Sequence, residues 1–212
     1  MSNHLLYIDT SAHKATYMLV NEHEIVSHKY HEVQNEHGQT INRLLQELLQ
    51  ESALTFADLK GVVVLNGPGS YTGLRISLSS AKGICYAHDI PLLLINKLNL
   101  INAHASDLAR TKTILIPARE NEYYSATYNK KNECLLAPNL LNSLEVSNLT
   151  KQYDSVLISD ISICDSLFKT DIIITYELST IFQVINNTYL LDKEANLFDS
   201  EPFYLKNVYF NK

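Results

Sequence analysis

The sequence is short of the residues that mark several functional classes. Its three cysteines, Cys85, Cys134 and Cys164, are an odd number, and no C-x-x-C pair occurs. That weighs against a disulfide framework and predicts reduced, buried thiols of the kind found in the cytosol. No apolar run approaches the ~20 residues of a membrane span, so no membrane association is expected. The opening MSNHLLYIDTSAHK has no basic region followed by a long apolar core, so no signal peptide is expected. Positive charge is in deficit: 17 Lys and Arg against 23 Asp and Glu leave a formal net charge of -6, with no run of five like charges. A chain that grips nucleic acid alone shows a basic face instead.

What is present is a large apolar fraction, 46% of 212 residues, enough for one large domain or two small ones. HLLYID reads as a buried strand ending at Asp9, and KATYMLV and EIVSHKYH read as a hairpin joined at residues 21–23. Between Gly38 and Ser52 the residues Ile41, Leu44, Leu45, Leu48 and Leu49 recur at helical spacing and form one broad stripe. GVVVLN is a continuous run of strand length, covered on both faces. A helix follows at about 73–88, then the strand PLLLIN and a helix at 98–109. TILIPA, EYYSATYN and CLLAPN open the second half as three more strands. A short helix at 143–151, the strand SVLIS, a weak helix, the strand DIIIT and a helix at 178–191 complete it. The order β-β-β-α-β-α-β-α thus occurs twice, the second time in shorter pieces. It predicts an α/β fold of two related lobes, residues 1–111 and 112–212, each a mixed sheet with helices on its faces.

Half of the six glycines crowd into the loop Gly67-Pro68-Gly69-Ser70-Tyr71-Thr72-Gly73, between a strand and a helix. Exposed amides at a helix start favour an anion. The loop is neither of two familiar phosphate loops: Leu74-Arg75 stand where G-x-x-x-x-G-K-[ST] needs lysine, and Thr72 where G-x-G-x-x-G needs glycine. Two readings stay open, a tight turn and an anion or nucleotide contact. The helix beyond carries two stripes. One is apolar: Leu74, Leu78, Ala81 and Cys85. The other is small: Ile76, Ser80, Gly83 and Ala87. Glycine inside a helix costs about 1 kcal/mol relative to alanine, so Gly83 implies close approach of another backbone, from this chain or from a partner.

The stretch GPGSYTGLRISLSSAKGICYA resembles the signature of the bacterial TsaB family, the tRNA threonylcarbamoyladenosine biosynthesis proteins. YIDTSA, NEHGQTINRLLQELL, TILIPARENEYYSATY and EPFYLKN resemble further segments of that family in the same order, from residue 5 to residue 207. The resemblance implies two ribonuclease-H-like lobes of the actin, Hsp70 and sugar-kinase type, with the second lobe reduced. It implies a cytoplasmic accessory subunit of the machinery that places threonylcarbamoyl on adenosine 37 of tRNAs reading codons that begin with A. The implied partners are the catalytic paralogue TsaD, in a heterodimer, and the small ATPase TsaE. The resemblance leaves a homodimer open for the chain when alone and implies that tRNA is met only through the complex.

The paralogue holds a metal with N-H-x-x-x-H. The corresponding stretch here is Asn96 to Ile101, with Lys97 and Ile101 in the two histidine positions, so no metal is expected. No H-E-x-x-H or G-x-S-x-G occurs, and the eight histidines read as ordinary polar residues. Actin-like ATPases place an acid and a glycine at the first turn. Asp9-Thr10-Ser11-Ala12 has the acid and hydroxyls but no glycine. Pro117 and Lys206 stand where the family often has aspartate and arginine. The residues for a nucleotide contact are Asp9, Gly67, Gly69, Ser70 and Gly73, and those for a partner interface are Ile41, Leu44, Leu45, Leu48, Ile76, Ser80, Gly83 and Ala87. No catalytic residue and no cofactor of its own are expected, with ATP or ADP at the interface of the complex left open. The leading expectation is a non-catalytic scaffold. The alternatives are an independent actin-like ATPase or kinase and a glycopeptidase-type peptidase.

Overall fold

The structure, a computed structural model, describes residues 3–32, 36–119, 121–174, 177–190 and 194–203. It divides into two compact units: residues up to Asn96 with Ile181–Phe203, and Lys97–Thr180.

In the first unit the apolar runs become β1 (His4–Asp9), β2 (Ala15–Val20), β3 (Ile25–His31), β4 (Leu59–Gly67) and β5 (Leu92–Asn96). The sheet order is β11-β5-β4-β1-β2-β3, where β11 is Glu194–Ala195. β1, β2 and β3 form an antiparallel meander, and β4 and β5 add in parallel beside β1. The parallel strand β4 is buried along nearly its whole length, as its unbroken valines require. Helices α1 (His37–Glu51) and α2 (Tyr71–His88) cover one face. Ile41, Leu45 and Leu48 of α1 meet Leu78, Ala81 and Cys85 of α2 over Leu6, Ile8 and Tyr17. A single 3-10 turn, Phe56–Asp58, closed by a Thr55–Asp58 capping box, leads from α1 into β4.

The second unit repeats the plan with β6 (Lys112–Pro117), β7 (Glu122–Tyr128), β8 (Cys134–Asn142), β9 (Val156–Ser159) and β10 (Ile172–Ile173), ordered β10-β9-β6-β7-β8. Helix α4 (Ser143–Tyr153) joins β8 to β9, as α1 joins β3 to β4. A capping box starts α4: the Asn142 side chain accepts from the Glu145 N–H, and Glu145 accepts from the Asn142 N–H. The helix α3 (Lys97–His104) belongs here, because Leu98, Ile101 and Ala105 pack with Ile114, Ile116, Ala126 and Ile158. The compact unit therefore begins at Lys97 rather than near residue 112. Helix α5 (Leu178–Leu190) follows β10, and Ile181–Phe203 counts with the first unit.

Two sequence expectations change, and one element went unread. The weak helix between β9 and β10 is not formed: the segment is a turn-rich loop with one bridge, Cys164 to Lys169, held by Asp165 and Thr170. Of the thiols only Cys85 is buried, in the α2 stripe, while Cys134 and Cys164 lie exposed on β8 and on that loop. The element β11 carries too little local pattern to be read from sequence. Lys206 and most of EPFYLKN fall outside the described residues.

Candidate functional site

The glycine loop is shaped by the turn after β1. Asp9 is buried, and its Oδ1 accepts the Ser11 N–H at 2.7 Å, tying the turn. Its negative charge, after burial itself, helps push the neighbouring Tyr17 phenol up to about 12. The Ser70 N–H donates to the Ser11 carbonyl at 2.9 Å. The Thr10 hydroxyl donates to the Gly73 carbonyl at 2.6 Å. A Cβ at Gly73 would lie 1.9 Å from the Thr10 carbonyl oxygen, and one at Gly69 would lie 2.8 Å from the Ser11 Cβ. Gly67 has φ +116, a backbone region that side chains avoid. The glycines thus let two loops touch backbone to backbone.

Asp9, Gly69, Ser70 and Gly73 do come together, with Gly67 at the end of β4. The amides that would meet an anion are partly engaged already. Ser70 caps α2 by accepting the Gly73 N–H at 3.3 Å, and the Leu74 N–H returns to the Ser70 carbonyl at 2.8 Å. These contacts favour the tight-turn reading of the loop.

The two stripes of α2 face different surroundings. Leu74, Leu78, Ala81 and Cys85 are all buried, with Ser77 between them. Ile76 and Ser80 are half-buried, Gly83 and Ala87 are exposed, and a Cβ at Gly83 would meet nothing within 4 Å. Among the described residues, the glycine therefore admits no other backbone of its own unit. On α1 the outcome differs from the expectation: Ile41, Leu44, Leu45 and Leu48 are all buried in their own unit, so they are core and not surface. The physical reason is that α1 has only one apolar stripe and its sheet needs a cover. Its outer face is Asn42, Arg43, Gln46 and Gln50.

Sequence reasoning missed an aromatic pair beside the small stripe. Tyr86, 72% exposed, and Phe198, 78% exposed, meet edge to face with ring centroids 6.3 Å apart. Lys82 fixes the pairing by donating from Nζ to the Phe198 carbonyl at 3.2 Å. Tyr86 had a readable signal, an aromatic on the polar side of a helix. Phe198 had none, because only the return of residues 194–203 to the first unit brings it there.

In the second unit, Lys97 is buried and its Nζ lies 2.7 Å from Asp160 Oδ2, while Ile101 is buried in the core under β6. A lysine ammonium holding the nearest carboxylate repels a divalent cation, and an isoleucine supplies no lone pair. Elsewhere His31 and His37 approach with Nδ1 atoms 3.3 Å apart. Among the described residues no cluster of three metal-ligating side chains occurs, and no helix is long and apolar enough to cross a membrane.

A meander followed by two parallel strands, present twice with covering helices, defines the ribonuclease-H-like lobes of the actin-type fold, the second one reduced. A solved Pseudomonas aeruginosa protein, described as uncharacterized with similarity to peptidase YeaZ, shares this fold with a TM-score of 0.76 at 20% identity, covering 97% of this chain and 100% of that one. The family model for TsaD, tRNA N6-adenosine threonylcarbamoyltransferase, matches residues 24–153, more than half of the chain. The chain belongs to that family. Within it the similarity runs to proteins named tRNA threonylcarbamoyladenosine biosynthesis protein TsaB. The one from Bacillus subtilis is 28% identical over 131 residues, 62% of this chain and 57% of that protein. The one from Haemophilus influenzae is 30% identical over 122 residues, 57% of this chain and 51% of that protein. The matches thus span about half the length of these relatives.

Proposed function

We propose that the chain is a non-catalytic subunit of the machinery that forms N6-threonylcarbamoyladenosine at position 37 of tRNAs reading codons that begin with A. It works by pairing with a TsaD-type paralogue, which carries the chemistry, while a TsaE-type ATPase joins the pair. The observation that carries this reading is the outer face of α2. Gly83 is open to another backbone, small side chains flank it, and the exposed Tyr86–Phe198 pair stands beside it. Surface aromatics next to a flat small-residue patch are what interface centres are built from. A stable pairing buries roughly 1,200–2,000 Å² in total. The interface residues are therefore Ile76, Ser80, Gly83 and Ala87 with Tyr86 and Phe198, and the buried leucines of α1 support them from behind.

The non-catalytic part of the reading is supported by Lys97, paired to Asp160 where the paralogue motif has a histidine. It is also supported by a glycine loop whose amides serve its own turn. A net charge of -6 favours tRNA contact through the complex, because counterion release gains little without a basic cluster. Any ATP or ADP belongs to the complex and its interface.

The test is co-expression with the TsaD-type paralogue of the same organism, followed by size-exclusion chromatography. Co-elution that Gly83→Leu abolishes, in a variant that still melts cooperatively, is the expected result. A purified chain that sustains ATP turnover lost on Asp9→Ala overturns the reading in favour of an independent ATPase.

A further inference from the structure

The sheet of the second unit ends at β8, the last strand in the order β10-β9-β6-β7-β8. Its nine residues, CLLAPNLLN, include no charged side chain, and Cys134, Leu135 and Ala137 are exposed. A long apolar strand at a sheet edge is a template for another strand.

Which amides of β8 face outward follows from its register. Ser143 donates its N–H to the Asn121 carbonyl at 3.1 Å, and Leu141 and Asn139 lie opposite Tyr123 and Ser125. In an antiparallel pair, hydrogen-bonded and non-bonded positions alternate. Ser143, Leu141 and Asn139 therefore turn to β7, while Asn142, Leu140 and Pro138 turn outward.

Each outward position is closed in a different way. The Asn142 N–H donates to Glu145 Oε2 at 2.8 Å. The Leu140 N–H donates to Asn139 Oδ1 at 2.8 Å. Pro138 brings no N–H. Beyond it the register slips twice, from Ser125–Asn139 to Thr127–Leu136 and from there to Tyr128–Cys134, each slip adding a residue to β8. Such bulges twist an edge away from a straight partner. The Glu145 bond also starts α4. Asn139 caps no helix, and among the described residues its side chain makes this one bond.

We propose that β8 is a self-pairing edge held shut by Pro138, Asn139 and Glu145, and that the strand they exclude is β8 of a second copy, running antiparallel. Charge complementarity points to this occupant. About a two-fold axis at Pro138, Lys131 of one copy comes beside Glu145 of the other, since both stand equally far from Pro138 along the chain. Lys130 adds to Lys131 at that end and together they outweigh Glu133, which is bonded to Asn129. Between the two ends the strand has no like charges to oppose each other. An open β8 would link pairs formed through α2 into larger assemblies. The inference itself does not rest on that pairing, because β8 lies in the second unit.

Sedimentation velocity of the full chain in reductant, over rising concentration, compares the wild type with Pro138→Val/Asn139→Ala. This variant frees two outward amides and leaves the α4 capping box intact. The expected result is self-association at least about tenfold tighter than in the wild type. Adding Ala137→Lys, which sets two ammonium groups against each other near the axis, should reverse it. Unchanged sedimentation of the double variant overturns the proposal. So does association that Ala137→Lys leaves in place, because it then runs through another surface. Should the double variant lose its cooperative melt, Asn139→Ala alone decides. Tighter association that Ala137→Lys reverses supports the closed edge, and wild-type sedimentation refutes it.

Discussion

The two units share one strand plan and differ in what fills it. In each, a three-stranded meander is extended by two parallel strands, and a helix enters between the third and fourth. In the first unit the next crossover is the glycine loop and the 18-residue α2; in the second it is a loop without a helix. Ile163 and Phe168 of that loop pack with Leu115, Val146 and Leu157, taking the place that α2 holds in the first unit. The cores differ in kind as well. The first is aliphatic from both helices. The second buries Lys112, Thr113, Ser125, Thr127, Ser155 and Ser159, with Thr113 bonded to Thr127 at 3.1 Å and to Ser155 at 2.7 Å. Hydroxyls that bond to each other across a sheet contribute less than the aliphatic burial they replace. The lesson is that one topology tolerates a reduced crossover when a loop supplies two large side chains, and that the helix kept by the first unit offers its second face outward.

The strongest way to break this comparison is Gly73→Ala. The new Cβ would sit 1.9 Å from a backbone oxygen, which cannot rotate away. The loss should exceed the ~1–3 kcal/mol of ordinary overpacking and fall on the first unit. Hydrogen exchange should show β1 and β4 deprotected while β6 and β7 keep their protection. Equal loss in both units would contradict the independence of the two cores.

Truncating equivalent helices sharpens it. Leu45→Ala in α1 should cost about 3 kcal/mol, as a fully buried leucine does. Val146→Ala in α4, also fully buried, should cost about 1–2 kcal/mol, because fewer methyls leave and the neighbours are more polar. Urea unfolding of the two variants measures both, and equal costs would refute the contrast between the cores.

Gly83→Leu should act in opposite directions on fold and function. With open space at its Cβ, leucine raises helix stability by up to about 1 kcal/mol. Partner affinity should fall at least about tenfold. Thermal melting and co-elution with the paralogue read the two effects. A stabilised variant that pairs normally removes α2 from the interface.

The smallest effect is a pH slope in the second unit. Burial lowers the Lys112 ammonium below its ordinary 10.5, and its bonds go to the Ala105 carbonyl and to Asn132. The unfolded chain then holds more protons between the lowered value and 10.5, so stability rises with pH across that window. Urea midpoints for the wild type and Lys112→Met between pH 7 and 10 test this. The wild type should gain on the variant as pH rises, and parallel curves would contradict it.

Among the described residues, most of the strands and the five α-helices were legible because periodicity is local. The missing helix after β9 was not, because a few apolar residues suit a loop and a short helix equally. At the candidate site, the inward stripe of α2 was readable from its spacing. Its loop partners were not, since Thr10 and Gly73 are 63 residues apart and meet only through the pairing of β1 with β4.

By itself the sequence determined which segments become strand or helix, the repeat of one element order, and the family. These follow from spacing and composition within a few residues. Only the tertiary structure decided that the α1 leucines are core, that the glycines serve contact with the first turn, and that Phe198 comes to rest against Tyr86. Each of these depends on strand order and register, which join residues far apart in the chain and leave no local trace.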